Sequence, residues 1–197
     1  MSRSVGLFVA ACTVCSGHGG NLRRSPVFRL LLIMTALASI LAAQDVGEYE
    51  VKAAFLYKFA SFVEWPSPAD TAPPCIGVLG EDPFGAILDR VVQGKFVNGR
   101  PLRIRRFRSG QNIAECRVLF ISSSEKSRFR SVLESLRLPI LTVGDTPGFC
   151  QSGGIITMEV QNDRVHLLIN PEAAGKAKLR LSSKLLSVAT IVYGGGR

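Results

Sequence analysis

The 197-residue chain predicts an α/β domain, a three-layer sandwich with a mixed, largely parallel sheet flanked by helices. Three observations carry this. The short apolar runs Cys75–Leu79, Arg117–Ile121 and Pro139–Val143 lack the alternation of a half-wet strand, so they read as strands buried on both faces. Helical patterns separate them, which is the order that builds parallel strands with crossover helices. Near the end, Ile155–Val160 and Val165–Ile169 flank Gln161-Asn162-Asp163 and read as an antiparallel hairpin, which makes the sheet mixed.

The chain opens outside that domain. Arg23, Arg24 and Arg29 precede the uncharged apolar run Leu30–Leu41, and small Ala42 and Ala43 follow. Residues 22–43 therefore read as an export signal cleaved near Ala42 or Ala43. The apolar run is well short of the ~20 residues a helix needs to span a bilayer. On this reading 1–43 is an N-terminal extension with signal peptide, and 44–197 is one exported α/β domain. An alternative is a lipoprotein anchored at Cys12, since Val9-Ala10-Ala11-Cys12 resembles a lipoprotein box. Cys12 and Cys15 have redox-motif spacing but no strand–helix context. Losing Arg3, Arg23, Arg24 and Arg29 with residues 1–43 lowers the formal charge from +9 to +5, which does not suggest nucleic-acid binding. A hydrophobic content of 47% against 20% charged residues excludes a disordered chain.

In the mature part, Val51, Phe55, Phe59 and Phe62 recur at helical spacing, so Glu48–Val63 is an amphipathic helix with that stripe inward. Glu48 and Lys52 form an i,i+4 pair on its surface. Trp65-Pro66 ends it, because a residue before proline avoids helical geometry, and Ser67–Pro74 is a proline-rich loop. After the first apolar strand, Asp82 caps a helix with Pro83 first inside it, running to about Val92. Pro101–Phe107 is strand-like, and a helix is expected around Arg128–Leu136. Asn170 caps a short helix that begins with Pro171. Ser182 or Ser183 opens the last helix, to about Ile191, before a tail from Gly194 to Arg197.

Candidate chemistry is sparse. Of the two histidines, His18 precedes the signal and His166 sits mid-strand between Val165 and Leu167, so Ser–His–Asp chemistry and histidine-rich metal sites lose their basis. Ser122-Ser123-Ser124 lacks the glycines of a nucleophile elbow and reads as a turn capping the next helix. Gly77, Gly80 and Gly85 do not have dinucleotide-fingerprint spacing, though amides at the Asp82 helix start could hold an anion. No catalytic, cofactor or metal site is expected. Arg100, Arg103, Arg105, Arg106 and Arg108 read as a guarded, solvated edge strand, or else as a contact for an acidic partner or lipid headgroups. Cys75, Cys116 and Cys150 remain in the mature part, so at most one internal bridge forms. Cys75 and Cys116 each lead a buried strand, and neighbouring strands would bring them together; two buried free thiols are the alternative.

Tyr49-Glu50-Val51-Lys52-Ala53-Ala54-Phe55-Leu56-Tyr57-Lys58-Phe59, leading to Phe62-Val63-Glu64-Trp65-Pro66, resembles the opening signature of the YfiR-like family. So do Gly153-Gly154-Ile155-Ile156, Asn170, and Leu181-Ser182-Ser183-Lys184-Leu185-Leu186, and the resemblance runs from about Tyr49 to Val192. It implies a periplasmic, dimeric, non-enzymatic repressor that binds the periplasmic domain of an inner-membrane diguanylate cyclase, and that an outer-membrane lipoprotein can sequester. It also implies a Cys75–Cys116 disulfide, and leaves Cys150 without its family partner because Ile156, Thr157 and Met158 stand there. Asn170, Lys176, Arg180 and Ser182 fall in the stretch tied to partner or ligand contact; Lys178 stands where glycine is usual, and Ser182 where some members have histidine. Two function classes follow: a regulatory module acting through cyclic-di-GMP signalling, or a sensor of a small anionic ligand working with a sensor kinase. For the first, the basic turn would steer association, and the first helix near Tyr49 and Tyr57 would supply an apolar anchor.

Overall fold

A computed structural model of the chain describes residues 47–66, 74–111, 113, 116–136 and 139–194. The export segment, Cys12 and Cys15, His18, nearly all of the proline-rich loop, and tail residues 195–197 lie outside the described residues.

Residues 47–62 form helix α1, which runs into a short strand β1 (Val63–Glu64) ahead of Trp65-Pro66. Its inward face differs from the expected stripe. Val51 is 46% exposed, and Phe55 and Phe62 are half-buried, while Lys52, Ala53, Leu56, Phe59, Ala60 and Val63 are buried. The helix is turned about Phe59, because Ala53 and Ala60 let its backbone approach the sheet closely and because Lys52 has partners inside. Lys52, expected on the surface, pairs with Glu48 and reaches Asp145 at 3.1 Å; the Tyr49 hydroxyl donates to the same Asp145 oxygen at 3.1 Å.

Among the described residues the main sheet has seven strands, in the order β11 (Thr190–Ile191), β9 (Arg164–Ile169), β8 (Ile156–Gln161), β7 (Leu141–Gly144), β6 (Val118–Ile121), β2 (Cys75–Leu79) and β5 (Arg103–Phe107). Every residue of β2 (Cys75–Leu79), β6 (Val118–Ile121) and β7 (Leu141–Gly144) is buried, as their unbroken apolar character predicts. These pair in parallel, and β7 pairs in parallel with β8 (Ile156–Gln161). β8 and β9 (Arg164–Ile169) form the expected hairpin; Asn162 and Asp163 take φ of 51° and 57°, the left-handed pair a two-residue turn requires. The mixed, largely parallel sheet flanked by helices stands as expected.

Three boundaries differ. Helix α2 is Ala86–Val92 and starts after Gly85, not at Asp82, whose carboxylate instead accepts the Phe84 N–H at 2.8 Å and Arg106 Nε at 2.6 Å. The segment expected as one strand from Pro101 is broken at Leu102, whose N–H turns back to the Lys95 carbonyl. This leaves a small hairpin of β3 (Phe96–Val97) and β4 (Arg100–Pro101), then edge strand β5 (Arg103–Phe107). After α4 (Pro171–Lys176) and β10 (Arg180–Leu181), the last helix α5 is only Ser183–Leu186. The β-branched run beyond it becomes β11 (Thr190–Ile191), captured by the edge of β9 and extended by a 2.8 Å bond from the Val192 N–H to the Ile169 carbonyl.

Between β6 and β7, Ser122 caps a 3-10 segment (Ser123–Arg128) that continues as α3 (Phe129–Ser135). One core packs α1, α2, α4 and α5 on one sheet face, with Phe84 edge-on to Phe120 and Tyr49. The smaller core on the other face holds Phe129 edge-on to Phe149, with the Cys75–Cys116 disulfide joining the leading ends of β2 and β6. Cys150 is buried as a free thiol.

Candidate partner-binding surface

In open α/β sheets ligands settle at the carboxyl ends of the strands. Here those ends are occupied by groups that satisfy one another. Beyond β7, Asp145 takes Lys52 and Tyr49 from α1. Beyond β2, the Glu81 N–H donates to Ser124 Oγ, and the Phe84 N–H to Asp82. The Asp82 helix start, whose amides could have held an anion, is corrected: no helix begins there, and Asp82 holds Arg106. Arg106 also reaches Asp89 at 2.7 Å, and these two carboxylates hold its guanidinium pKa above the ordinary arginine value.

The expected contact residues fall on the segment following β9, and the structure separates their roles. Asn170 is 2% exposed; its Oδ1 accepts the Ala173 N–H at 3.0 Å, and its amide donates to the Cys150 carbonyl at 3.0 Å. It caps α4 and ties that helix to the 145–155 loop. Lys176 ends α4 and is exposed. The helix does not continue to Arg180, because Lys178 takes a left-handed φ of 58° and turns the chain into β10. That conformation is why glycine suits this position. β10 pairs antiparallel with β1, setting Arg180 opposite Glu64, and the Ser182 N–H donates to the Phe62 carbonyl. The Ser182 hydroxyl caps α5 by accepting the Leu185 N–H at 3.3 Å. Asn170 and Ser182 thus shape the turn, while Lys176, Lys178, Arg180 and Lys184 are its exposed charges.

Two features of this region were not read from the sequence. The first is a cleft of about 1010 Å³ where β7 and β8 begin and β9 ends. Arg130 and Glu134 of α3 stand on its rim with Lys176 and Lys178, and Thr142, Ile155 and Asn170 lie deeper. Only a tertiary arrangement brings α3 and α4 together, so no local signal marks it. The second is apolar exposure just past the basic turn: Val188 is 67%, Ile191 38% and Tyr193 65% exposed. The helix expected to run to about Ile191 hides the edge position of Val188 and Ile191. Tyr49 and Tyr57, expected as an apolar anchor on α1, are less open. Tyr49 is half-buried, edge-on to Phe84 at 5.3 Å and bonded to Asp145, and Tyr57 is half-buried with the Lys58 and Lys95 ammonium groups near its ring.

Cys150 sits under this region. Its N–H donates to Thr157 Oγ1 at 3.1 Å and its thiol lies 3.4 Å from the Ile155 carbonyl, so a threonine hydrogen bond closes this loop. Burial pushes the thiol pKa above its ordinary value. Trp65, beside β1, carries a buried indole N–H with no hydrogen-bond partner among the described residues. Among the described residues no His/Cys/Asp/Glu group is placed to hold a metal ion, and no helix is long and apolar enough to cross a membrane.

Residues 49–190 match the family model described as YfiR/HmsC-like. No curated protein matches the sequence. A crystal structure of a conserved domain protein from Vibrio cholerae is similar with a TM-score of 0.48 at 11% identity, over 59% of this chain; the alignment spans 54% of that chain.

Proposed function

The chain belongs to the YfiR/HmsC-like family, and on that premise we propose that it is a periplasmic, non-enzymatic regulator that binds and represses an inner-membrane signalling protein, a diguanylate cyclase. The observation that carries this is the turn from Lys176 to Lys184. Four exposed cations stand on a backbone held by the Asn170 cap, the β1–β10 pairing and the Ser182 cap. A preordered basic turn suits an acidic patch on a partner's periplasmic domain and speeds encounter more than it tightens the complex. Exposed ion pairs contribute only about 0.2–1 kcal/mol each, so affinity has to come from apolar contact. Val188, Ile191 and Tyr193 follow in the same segment and supply it. A homodimer, and release of repression by an outer-membrane lipoprotein, belong to the same proposal.

Lys176→Glu with Arg180→Glu tests it. Both side chains are exposed, so the variant keeps its fold, and cellular cyclic-di-GMP rises to the level of the gene deletion. A folded variant that still represses fully reduces the turn to a solvated surface. If deletion leaves cyclic-di-GMP unchanged, a small-ligand sensor acting with a sensor kinase becomes the better account, and the 1010 Å³ cleft is where its ligand would sit.

A further inference from the structure

We propose that the β3–β4 hairpin docks the protein on an anionic phospholipid surface, with Phe96 as the inserted side chain and Lys58 and Lys95 as the headgroup contacts. This goes beyond the regulatory reading and does not rest on it.

Phe96 is 58% exposed, and its Cα partner across the hairpin, Pro101, is exposed too, so the two form one apolar knob. Asn98 and Gly99 both have left-handed φ, 52° and 75°, which fixes a tight turn and holds the knob forward. Val97 is buried and anchors the hairpin to the main core. Two cations accompany the knob. Lys95 precedes Phe96, and Lys58 joins it from α1: the Lys58 and Lys95 ammonium groups lie 5.9 and 5.8 Å from the Tyr57 ring centroid. Both cations are exposed. No acidic residue occurs from Val51 to Val63 or from Gln93 to Arg108. The nearby carboxylates of α2 and its approach, Asp89 and Asp82, are engaged by Arg106.

A protein partner is the poorer fit for this corner. A stable protein interface needs roughly 800 Å² per side with a desolvated apolar centre, and one phenylalanine with one proline is far less. A lipid surface needs only a small apolar wedge and cations at headgroup depth, and binds weakly and reversibly through them. Such an adsorbed state confines the protein to a membrane surface.

The experiment uses the exported protein with Phe96→Trp, whose exposed position tolerates the larger ring, mixed with vesicles of phosphatidylglycerol and phosphatidylethanolamine or of phosphatidylcholine. With anionic vesicles, beyond the signal of Trp65, the introduced indole shifts to the blue and is quenched by brominated acyl chains; with phosphatidylcholine it is not. Val160→Trp, exposed on β8 and removed from β5 in the sheet order, is the control and stays unquenched. In sedimentation with the anionic vesicles, Lys95→Gln weakens partition about fivefold and Phe96→Ser at least tenfold. Equal quenching at position 160, an indole at 96 that ignores anionic vesicles, or unchanged partition of both sedimentation variants overturns the proposal.

Discussion

Gly154→Ala tests the packing that shapes the loop beneath the cleft. A methyl group on Gly154 would lie 2.2 Å from Phe149 Cε1 and 2.3 Å from Cδ1, well inside van der Waals contact. The ring cannot swing away. Phe149 is 0% exposed, packs edge-on against Phe129 at 5.1 Å, and lies 2.9 Å from where a Gly144 methyl would stand. Overpacking of a filled core costs about 1–3 kcal/mol and sometimes more, and more than 1 Å of overlap puts this case at about 3 kcal/mol. Phe149→Ala by itself removes a fully buried ring and costs about 3–5 kcal/mol. In the double variant the methyl enters the space the ring has left. The pair then costs about as much as Phe149→Ala alone, with a coupling of about 2–3 kcal/mol in a double-mutant cycle. Urea unfolding followed by Trp65 fluorescence measures all four proteins. If Gly154→Ala lies within about 0.5 kcal/mol of the parent, or the two costs add, the steric argument for this glycine is wrong.

Two further outcomes follow from buried groups. Lys52→Met leaves Asp145 buried with only the Tyr49 hydroxyl as partner, and destabilises by about 3 kcal/mol; adding Asp145→Leu recovers part of that loss, which thermal melts of both variants check. Peptide mapping without reductant recovers Cys75 linked to Cys116, and opening that 41-residue loop costs about 4 kcal/mol on the chain-entropy account. In the same preparation Cys150 resists a thiol reagent until the protein unfolds. Because its folded pKa is raised, its contribution to stability is full below the ordinary thiol pKa and is lost as pH rises from there through the folded value.

The layer order, the hairpin and the caps were legible in the sequence because each rests on local chemistry. Three apolar runs too long to alternate specify buried parallel strands. Asn170 before Pro171 specifies a helix start, and Asn162-Asp163 between β-rich runs specifies the tight turn. The pairing of Cys75 with Cys116 was also within reach, since strand-leading positions meet when the strands are neighbours.

What local pattern left open was decided by contacts distant in sequence. Val51 fits an apolar stripe as well as Lys52 does not, yet Lys52 is inside, because Asp145 waits 93 residues away and the alanines of α1 let the helix close on it. Val188 to Val192 has no strand identity of its own until the edge of β9 offers it hydrogen bonds. Asp82 looks like a helix cap, yet its carboxylate is shared between the Phe84 N–H and Arg106, 24 residues on, and the helix starts only after Gly85. The candidate surface divides the same way. The sequence by itself determined that Lys176, Lys178, Arg180 and Lys184 cluster along the chain. Only the tertiary structure, by pairing β10 with β1 and setting α4 across from α3, decided that Lys176 and Lys178 rim a cleft, that an exposed apolar edge follows the turn, and that the four cannot lie on one helix face.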